Sequence, residues 1–274
     1  MKRKYIETVD KKIKAKRSFN TIVSLVIRNV RNQYRNSVLG IVWTVLNPLL
    51  FMIVISIVFS MLLKRNSADG LYFPVFILSG LTAFNLFNNS TTTALTSLVN
   101  NHGLLTKTRI SPEIFPVADV LSAVVNFFFS FIAMCIVMLI FIKKEGVGFH
   151  LTMLMAFVPY LPAYILFCCG VSFILSTTYV YFRDIKHIYS VFKKLLYYLT
   201  PVFYSFSLIE GHATAKSLLM INPLYHYVTY FRSLVMGQVP SLLSHAIIYA
   251  WGIGMFLFGY VIFHFSKKKI PLYI

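Results

Sequence analysis

The chain has 274 residues, 58% of them hydrophobic and only 12% charged, with a mean hydropathy of +0.73 and a formal net charge of +18. A soluble domain is about a quarter charged, whereas whole stretches here carry no charge, a pattern that needs lipid as the solvent. Nor does the positive balance point to nucleic acid, because Lys and Arg gather at the ends of apolar runs rather than along one solvated face.

A long basic segment opens the chain and precedes an apolar run too long for a cleavable signal peptide. Within residues 17–35, Phe19, Ile22, Val23, Val26, Ile27, Val30 and Tyr34 recur at helical spacing, with Ser24, Arg28, Arg31 and Arg35 opposite. A plain positively charged anchor would explain the arginines but not this periodicity. The pattern predicts an amphipathic helix in the membrane interface, its arginines toward anionic headgroups.

Residues 36–63 are uncharged and long enough to cross a hydrocarbon core of ~30 Å. Further spans are expected over 71–98, which ends in an Asn- and Thr-rich tail, over 120–142, and over 150–178. A fifth apolar stretch, 195–208, is short and broken at Pro201, and the sixth covers 242–266. The predicted fold is therefore all-α and integral to the membrane. It divides into a basic cytoplasmic N-terminus (1–36), a transmembrane domain (37–266) and a cytoplasmic tail (267–274). With both termini cytoplasmic, 20 of the 26 Lys and Arg fall on the inner side, so the positive-inside rule favours that orientation.

Asn222-Pro223 reads as an N-cap followed by proline at the first helical position. Helical spacing then runs through Leu224, Tyr227, Val228, Phe231 and Val235, with Gly237 placed as a C-terminal cap. At about fourteen residues this helix cannot span the bilayer. Together with the break at Pro201 it predicts helices that enter the outer leaflet and return, a candidate gate between spans five and six.

Chemistry by this chain is not expected. No GxxxxGK[ST] loop, G-x-S-x-G elbow or H-E-x-x-H occurs. The eight acidic residues are scattered, none in a mid-membrane relay position, with Glu113, Asp119 and Asp184 at inner boundaries. Cys135, Cys168 and Cys169 lie in apolar runs, and no cysteine or histidine spacing suits a metal.

Four motifs in order resemble the permeases of type-2 ABC exporters, in the subgroup that exports O-antigen, teichoic acid and related cell-surface polysaccharides. They are the run from Asn32 through Tyr34, Gly40 and Trp43 to Asn47-Pro48 and Leu50; the loop from Asn101 through Pro112 to Pro116; Tyr181-Phe-Arg-Asp-Ile185; and Asn222-Pro223 with Arg232. The resemblance implies a homodimer served by two copies of a separate ATPase that binds ATP and Mg, this chain holding no cofactor. It also implies outward movement of a lipid-diphosphate-linked glycan, such as one on undecaprenyl diphosphate, across the bacterial plasma membrane.

Within that scheme Leu104 and Leu105 are apolar anchors, and Lys107 and Arg109 charged contacts, of a short helix docking on the ATPase; an ordinary connecting loop is the alternative. Ser111-Pro112 would start the third span. Arg28, Arg31 and Arg35 are the candidates for the diphosphate headgroup, against inert anchoring. Arg183-Asp184 reads as a local charge pair, Asp184 capping the helix that follows. Sugars pack on aromatic faces, which makes Tyr181, Tyr197, Tyr198, Tyr204, Tyr227 and Tyr230 candidates for the glycan path; interfacial aromatic belts would give the same enrichment. An ABC exporter of drugs or lipids, and a membrane scaffold of a glycosyltransferase complex, are the competing readings.

Overall fold

The computed structural model describes residues 2–33, 35, 40–43, 45–47, 49–51, 53–54, 67–68, 71–108, 110–143, 147–204, 213–267 and 269–273. Its helices are α1 (Lys2–Gln33), α2 (Phe73–Leu95), α3 (Ser97–Asn100), α4 (His102–Lys107), α5 (Ile114–Ile140), α6 (Tyr160–Tyr181), α7 (Ile185–Leu199), α8 (Ala213–Ile221), α9 (Pro223–Val235), α10 (Leu242–Ser266) and α11 (Ile270–Tyr273). Residues 43, 45–47, 49–51 and 53–54 are helical as well, and two 3-10 turns, Gly40–Val42 and Leu151–Ala156, and a two-residue antiparallel pair, Ser67–Ala68 with Leu71–Tyr72, accompany the helices.

Local chemistry sets the helix ends. Pro74 sits in the first turn of α2, where no backbone N–H is needed. At α10, the Ser241 side chain accepts from the Ser244 N–H. The predicted entry to α9 is present, since Asn222 Oδ1 accepts from the Leu224 N–H at 3.0 Å and Pro223 follows at the first helical position. Its exit is a Schellman turn: Gly237, at φ 78°, donates to Leu234 O, and Gln238 donates to Ser233 O at 2.9 Å.

α5 departs from expectation. Ser111-Pro112 forms a turn, with the Ile114 N–H reaching Ser111 O at 3.1 Å, and the helix begins at Ile114 behind an uncapped Glu113. Pro116 explains the delay: it has no N–H to bond four residues back, so the helix starts late enough to place it in the first turn.

α2, α6 and α10 run in one direction and α5 returns against α2. Tyr164 Oη donates to Ala83 O at 3.0 Å, and the Tyr72 and Phe141 rings meet at 5.0 Å. α6 and α10 touch backbone to backbone, because a Cβ on Gly259 would overlap the carbonyl oxygen of Gly170 and one on Gly170 would overlap that of Met255. Small residues at such a crossing let membrane helices gain close van der Waals contact that lipid cannot supply. Cys168 and Cys169 are buried in α6, and Cys135 is half-buried in α5.

Among the described residues, three stretches are long and apolar enough to cross a membrane: Ile114–Ile140, Leu151–Tyr181 and Leu242–Ser266, the last with the predicted bounds. α2 also has the length, at 23 residues, but Asn85, Asn88, Asn89 and four Ser/Thr residues (90–93) dilute its second half. The predicted first span lies largely outside the described residues. The predicted fifth span is redrawn. α7 begins ten residues before that apolar stretch, at Ile185 after Asp184 as the cap reading expects, and it ends at Leu199. Thr200 is extended (ψ 131°) before Pro201, as a residue preceding proline prefers to be.

Candidate transport site

At the end of the bundle where α2 finishes and α5 begins, α1 packs on α5 and closes one side of a chamber of about 750 Å³. Eight lining residues are carboxamides: Asn29, Asn32 and Gln33 of α1, Asn88 and Asn89 of α2, Asn100 and Asn101 after it, and Asn126 of α5. Thr92, Thr93, Thr96 and Ser122 add hydroxyls, and Arg28, Lys193 and Asp119 are its charges. The polar run through residues 88–93 is helical, and the hydroxyls of Thr91, Thr92 and Thr93 are satisfied within it by donating to the carbonyls of Phe87, Asn88 and Asn89.

Side chains fasten this end together. Asn29 Nδ2 donates to Asp119 Oδ1 at 2.7 Å, Arg28 Nη2 to Asn101 Oδ1 at 2.7 Å, and Asn126 Nδ2 to Gln33 Oε1 at 3.0 Å. From α7, Lys193 Nζ donates to Asn88 Oδ1 at 3.0 Å and Thr92 Oγ1 at 2.7 Å. The Asp119 carboxylate therefore lies inside the helix span, 9% exposed, rather than at its edge. Carboxamides and hydroxyls both donate and accept, so the chamber matches a ligand whose own groups do the same.

On the other flank of α1 lies a groove of about 680 Å³ formed by Val26, Ile27, Val30 and Val125, with Arg31 and Arg35 beside them. The three arginines expected to act together are thus divided. Arg28 is half-buried and faces the chamber, while Arg31 and Arg35 are exposed at the groove. The apolar face of α1 is divided as well: Leu25 is buried and Ile22 and Val26 pack on the core, whereas Phe19 and Ile27 point outward at 65% and 53% exposure.

The short helix α4 exists where a docking helix was expected. Leu105 is buried, Leu104 packs on the core and Lys107 is exposed; Arg109 lies outside the described residues. Arg183 and Asp184 form no ion pair. The Arg183 guanidinium lies 5.1 Å from the Tyr179 ring centre, and Asp184 holds the position before α7 without a side-chain cap. Its backbone carbonyl serves instead, accepting from His187 N at 2.9 Å.

The six path tyrosines separate into three places. Tyr197, Tyr198 and Tyr204 gather at the end of α7, where Tyr204 Oη donates to Tyr198 O at 3.0 Å and the Tyr197 and Tyr198 rings lie 5.9 Å apart. Tyr197 also lines a mostly apolar groove of about 550 Å³, where Leu50, Phe51, Val54, Leu78 and Leu81 stand beside Asn85, Thr82 and Ser130. Tyr181 is at the far end of α6, against Tyr273 and Ser266 O. Tyr227 is a core residue. Its ring stacks on Tyr164 at 4.2 Å and its hydroxyl donates to Ile248 O at 2.7 Å, leaving nothing exposed. Tyr230 is 3% exposed and hydrogen-bonds His245 Nε2 at 2.9 Å.

Around those two tyrosines α9 fills the end where α2, α6 and α10 begin. Arg232 is its pin, only 6% exposed. Its guanidinium lies 3.6 Å from the centre of the Phe76 ring and donates to the carbonyls of Pro201, Val202 (2.7 Å) and Phe76 (3.4 Å). Gly80 leaves the room, since a Cβ there would stand 2.6 Å from Arg232 Nη2. In the sequence Arg232 stands out only as part of the motif with Asn222-Pro223. Its burial had no signal in spacing, and the chamber had only the Asn/Thr run in an otherwise apolar span.

This architecture, spanning helices around a polar interior with no phosphate-binding loop, is that of a membrane permease. The chain belongs to the ABC-2 type transporter family, whose model matches residues 20–236. It is 28% identical over 213 residues to the O-antigen export system permease protein RfbA of Myxococcus xanthus, covering 78% of this chain and 79% of the relative. A protein of the same name from Klebsiella pneumoniae is 26% identical over 251 residues, 92% of this chain and 93% of that one. The polysialic acid transport protein KpsM of Escherichia coli is 24% identical over 230 residues, 83% and 84% of the two chains.

Proposed function

We propose that this chain is the permease subunit of an ATP-driven exporter that carries a lipid-linked cell-surface polysaccharide (an O-antigen, a teichoic acid or a similar glycan) outward across the bacterial plasma membrane. Two copies pair, each with six spans and both termini cytoplasmic, and two copies of a separate ABC ATPase bind ATP and Mg²⁺ and supply the work. α4 is the contact with that ATPase, with Leu104 and Leu105 seated and Lys107 presented. α9 and the break at Pro201 form the re-entrant outer element. Tyr197, Tyr198 and Tyr204 extend the glycan path from the chamber.

The observation that carries this reading is the chemistry of the chamber. Its carboxamides and hydroxyls match sugar hydroxyls in donating and accepting alike. An apolar drug would strip water from them without replacing the hydrogen bonds, which is unfavourable. The relatives named for O-antigen and polysialic acid transport support the same substrate class.

Affinity purification of the tagged chain from its native membranes is the test. An ABC ATPase and a lipid-linked glycan, identified by mass spectrometry, should accompany it, and surface polymer should vanish when the chain is deleted. Polymer export that continues without the chain, or a bound lipid bearing no sugar, would overturn the proposal.

A further inference from the structure

The chain leaves α10 at Ser266 and turns back on the bundle. The Lys267 N–H donates to Phe263 O at 2.8 Å, and the N–H groups of Lys269 and Leu272 reach Ser266 O and Lys269 O, each at 2.9 Å. These turns lay α11 against both α4 and α6. Side chains hold it there. Ile270 belongs to the main core and is 0% exposed. Tyr273 meets the Tyr181 ring at 5.0 Å, and the Tyr181 hydroxyl donates to Ser266 O at 3.4 Å. Lys267 Nζ lies 3.1 Å from Glu113 Oε1, just before α5. Glu113 is largely covered, and its second oxygen has no hydrogen-bond partner among the described residues. Losing Lys267 would therefore leave that carboxylate uncompensated.

We infer that the C-terminal tail, through Lys267, Ile270 and Tyr273, is a brace that seats α4 and joins it to α6 and α10, so that a push from the ATPase on α4 reaches the last span as well as α5. The inference rests on reading α4 as the ATPase contact and adds the tail to that machinery. Chain ends are poorly ordered unless something ties them down, and this one is tied at the helix that has most need of support. α4 has six residues, too few to hold a helical fold alone, so its place is set by what it packs on. Leu105 anchors it to the core, and α11 closes on it from a region remote in sequence. α6 and α10 in turn interlock backbone to backbone at Gly170 and Gly259, so a displacement passed to one is shared by the other. Tyr181, expected on the glycan path, is here the socket for Tyr273.

The test uses the full permease and ATPase complex in nanodiscs. Ending the chain at Ser266, or Ile270→Ser, should raise backbone hydrogen exchange over residues 102–107 about tenfold and leave residues 223–235 as they were. The permease's stimulation of ATP hydrolysis, measured against the ATPase alone, should fall about fivefold in the same variants while the subunits still copurify. Ile270→Val should keep both properties. Lys267→Glu and Glu113→Lys should each lower stimulation about threefold, and the two together should restore it, which a mere loss of packing would not do. Unchanged exchange over residues 102–107 in the shortened chain would overturn the brace, and so would a charge swap that restores nothing. Should the shortened chain fail to fold, the charge swap decides. Raised exchange with stimulation fully kept would overturn the tail's part in coupling. Full stimulation in Lys107→Glu as well would bring down α4 as the ATPase contact, so the two failures are distinguishable.

Discussion

The two ends of the bundle each hold an arginine beneath their surface, and they treat it in opposite ways. At the α9 end Arg232 is enclosed by Phe76, by three backbone carbonyls and by Gly80, where a Cβ would crowd Nη2 at 2.6 Å. At the α1 end Arg28 is half-buried and holds one long-range partner, Asn101, in a hollow lined by carboxamides. The α9 end is packed with rings: Tyr160, Tyr164, Phe167, Tyr227 and Phe231 lie within 4.2 to 6.4 Å of one another where they meet. The difference teaches where the subunit is built to be rigid and where to be filled. Dense aromatic packing leaves no space to adapt, whereas a hydrated polar cavity loses little when its contacts rearrange.

The sharpest break in that comparison is Arg232→Gln. It removes the guanidinium from Phe76 and leaves buried carbonyls of Pro201 and Val202 without their donor. A loss of about 3 kcal/mol is expected, read as a lowered Tm of the detergent-solubilised protein. A loss under ~1 kcal/mol would mean the pin is not structural. Next in size is Gly259→Ala, which forces α10 off α6 and should cost about 2 kcal/mol by overpacking. Gly254→Ala, in the same helix with open space at its Cβ, is the control and should be neutral or slightly stabilising. Equal effects of the two alanines would refute the backbone crossing. Smaller again is Tyr227→Phe, which keeps the ring stack and removes the hydroxyl shared between Ile248 O and Ala163 O, for about 0.6 kcal/mol.

These residues also mark what the sequence could disclose. Charge-free runs and cap residues are local signals, so α10 appears between its predicted bounds and α9 enters at Asn222-Pro223 and leaves at Gly237. α7 starts at Ile185, directly after the expected cap position Asp184, but its apolar span, bounded by charge, is drawn only from 195, although Lys186, Lys193 and Lys194 sit in the helix with one face away from the core. Tyr227 and Tyr198 look alike in composition, yet one is fully buried and the other 73% exposed, and only the packing of α6, α9 and α10 separates them. The chamber draws on α1, α2, α5 and α7 together, from Arg28 to Lys193, so no window of sequence contains it.

The hollow end should respond to substitution in function with little change in stability. Lys107→Glu reverses an exposed charge on α4 and is expected to leave Tm unchanged while weakening stimulation of the ATPase; full stimulation would remove α4 from that contact. Arg28→Gln is the closer counterpart to Arg232→Gln, the same replacement at the opposite end. Glutamine is shorter than arginine and loses the bond to Asn101, but the freed amide faces water in the chamber, so the cost should stay near ~1 kcal/mol or below. Export of the glycan should fall nonetheless, because Asn101 precedes α4 directly and its grip on α1 ties the chamber wall to the helix proposed to dock on the ATPase. Asn101→Ala removes the same bond from the other side. If both variants lower export alike and the double variant adds nothing, the Arg28–Asn101 bond is the shared element. If Arg28→Gln destabilises the protein as much as Arg232→Gln does, the α1 end is as closed as the α9 end, and the contrast between them fails.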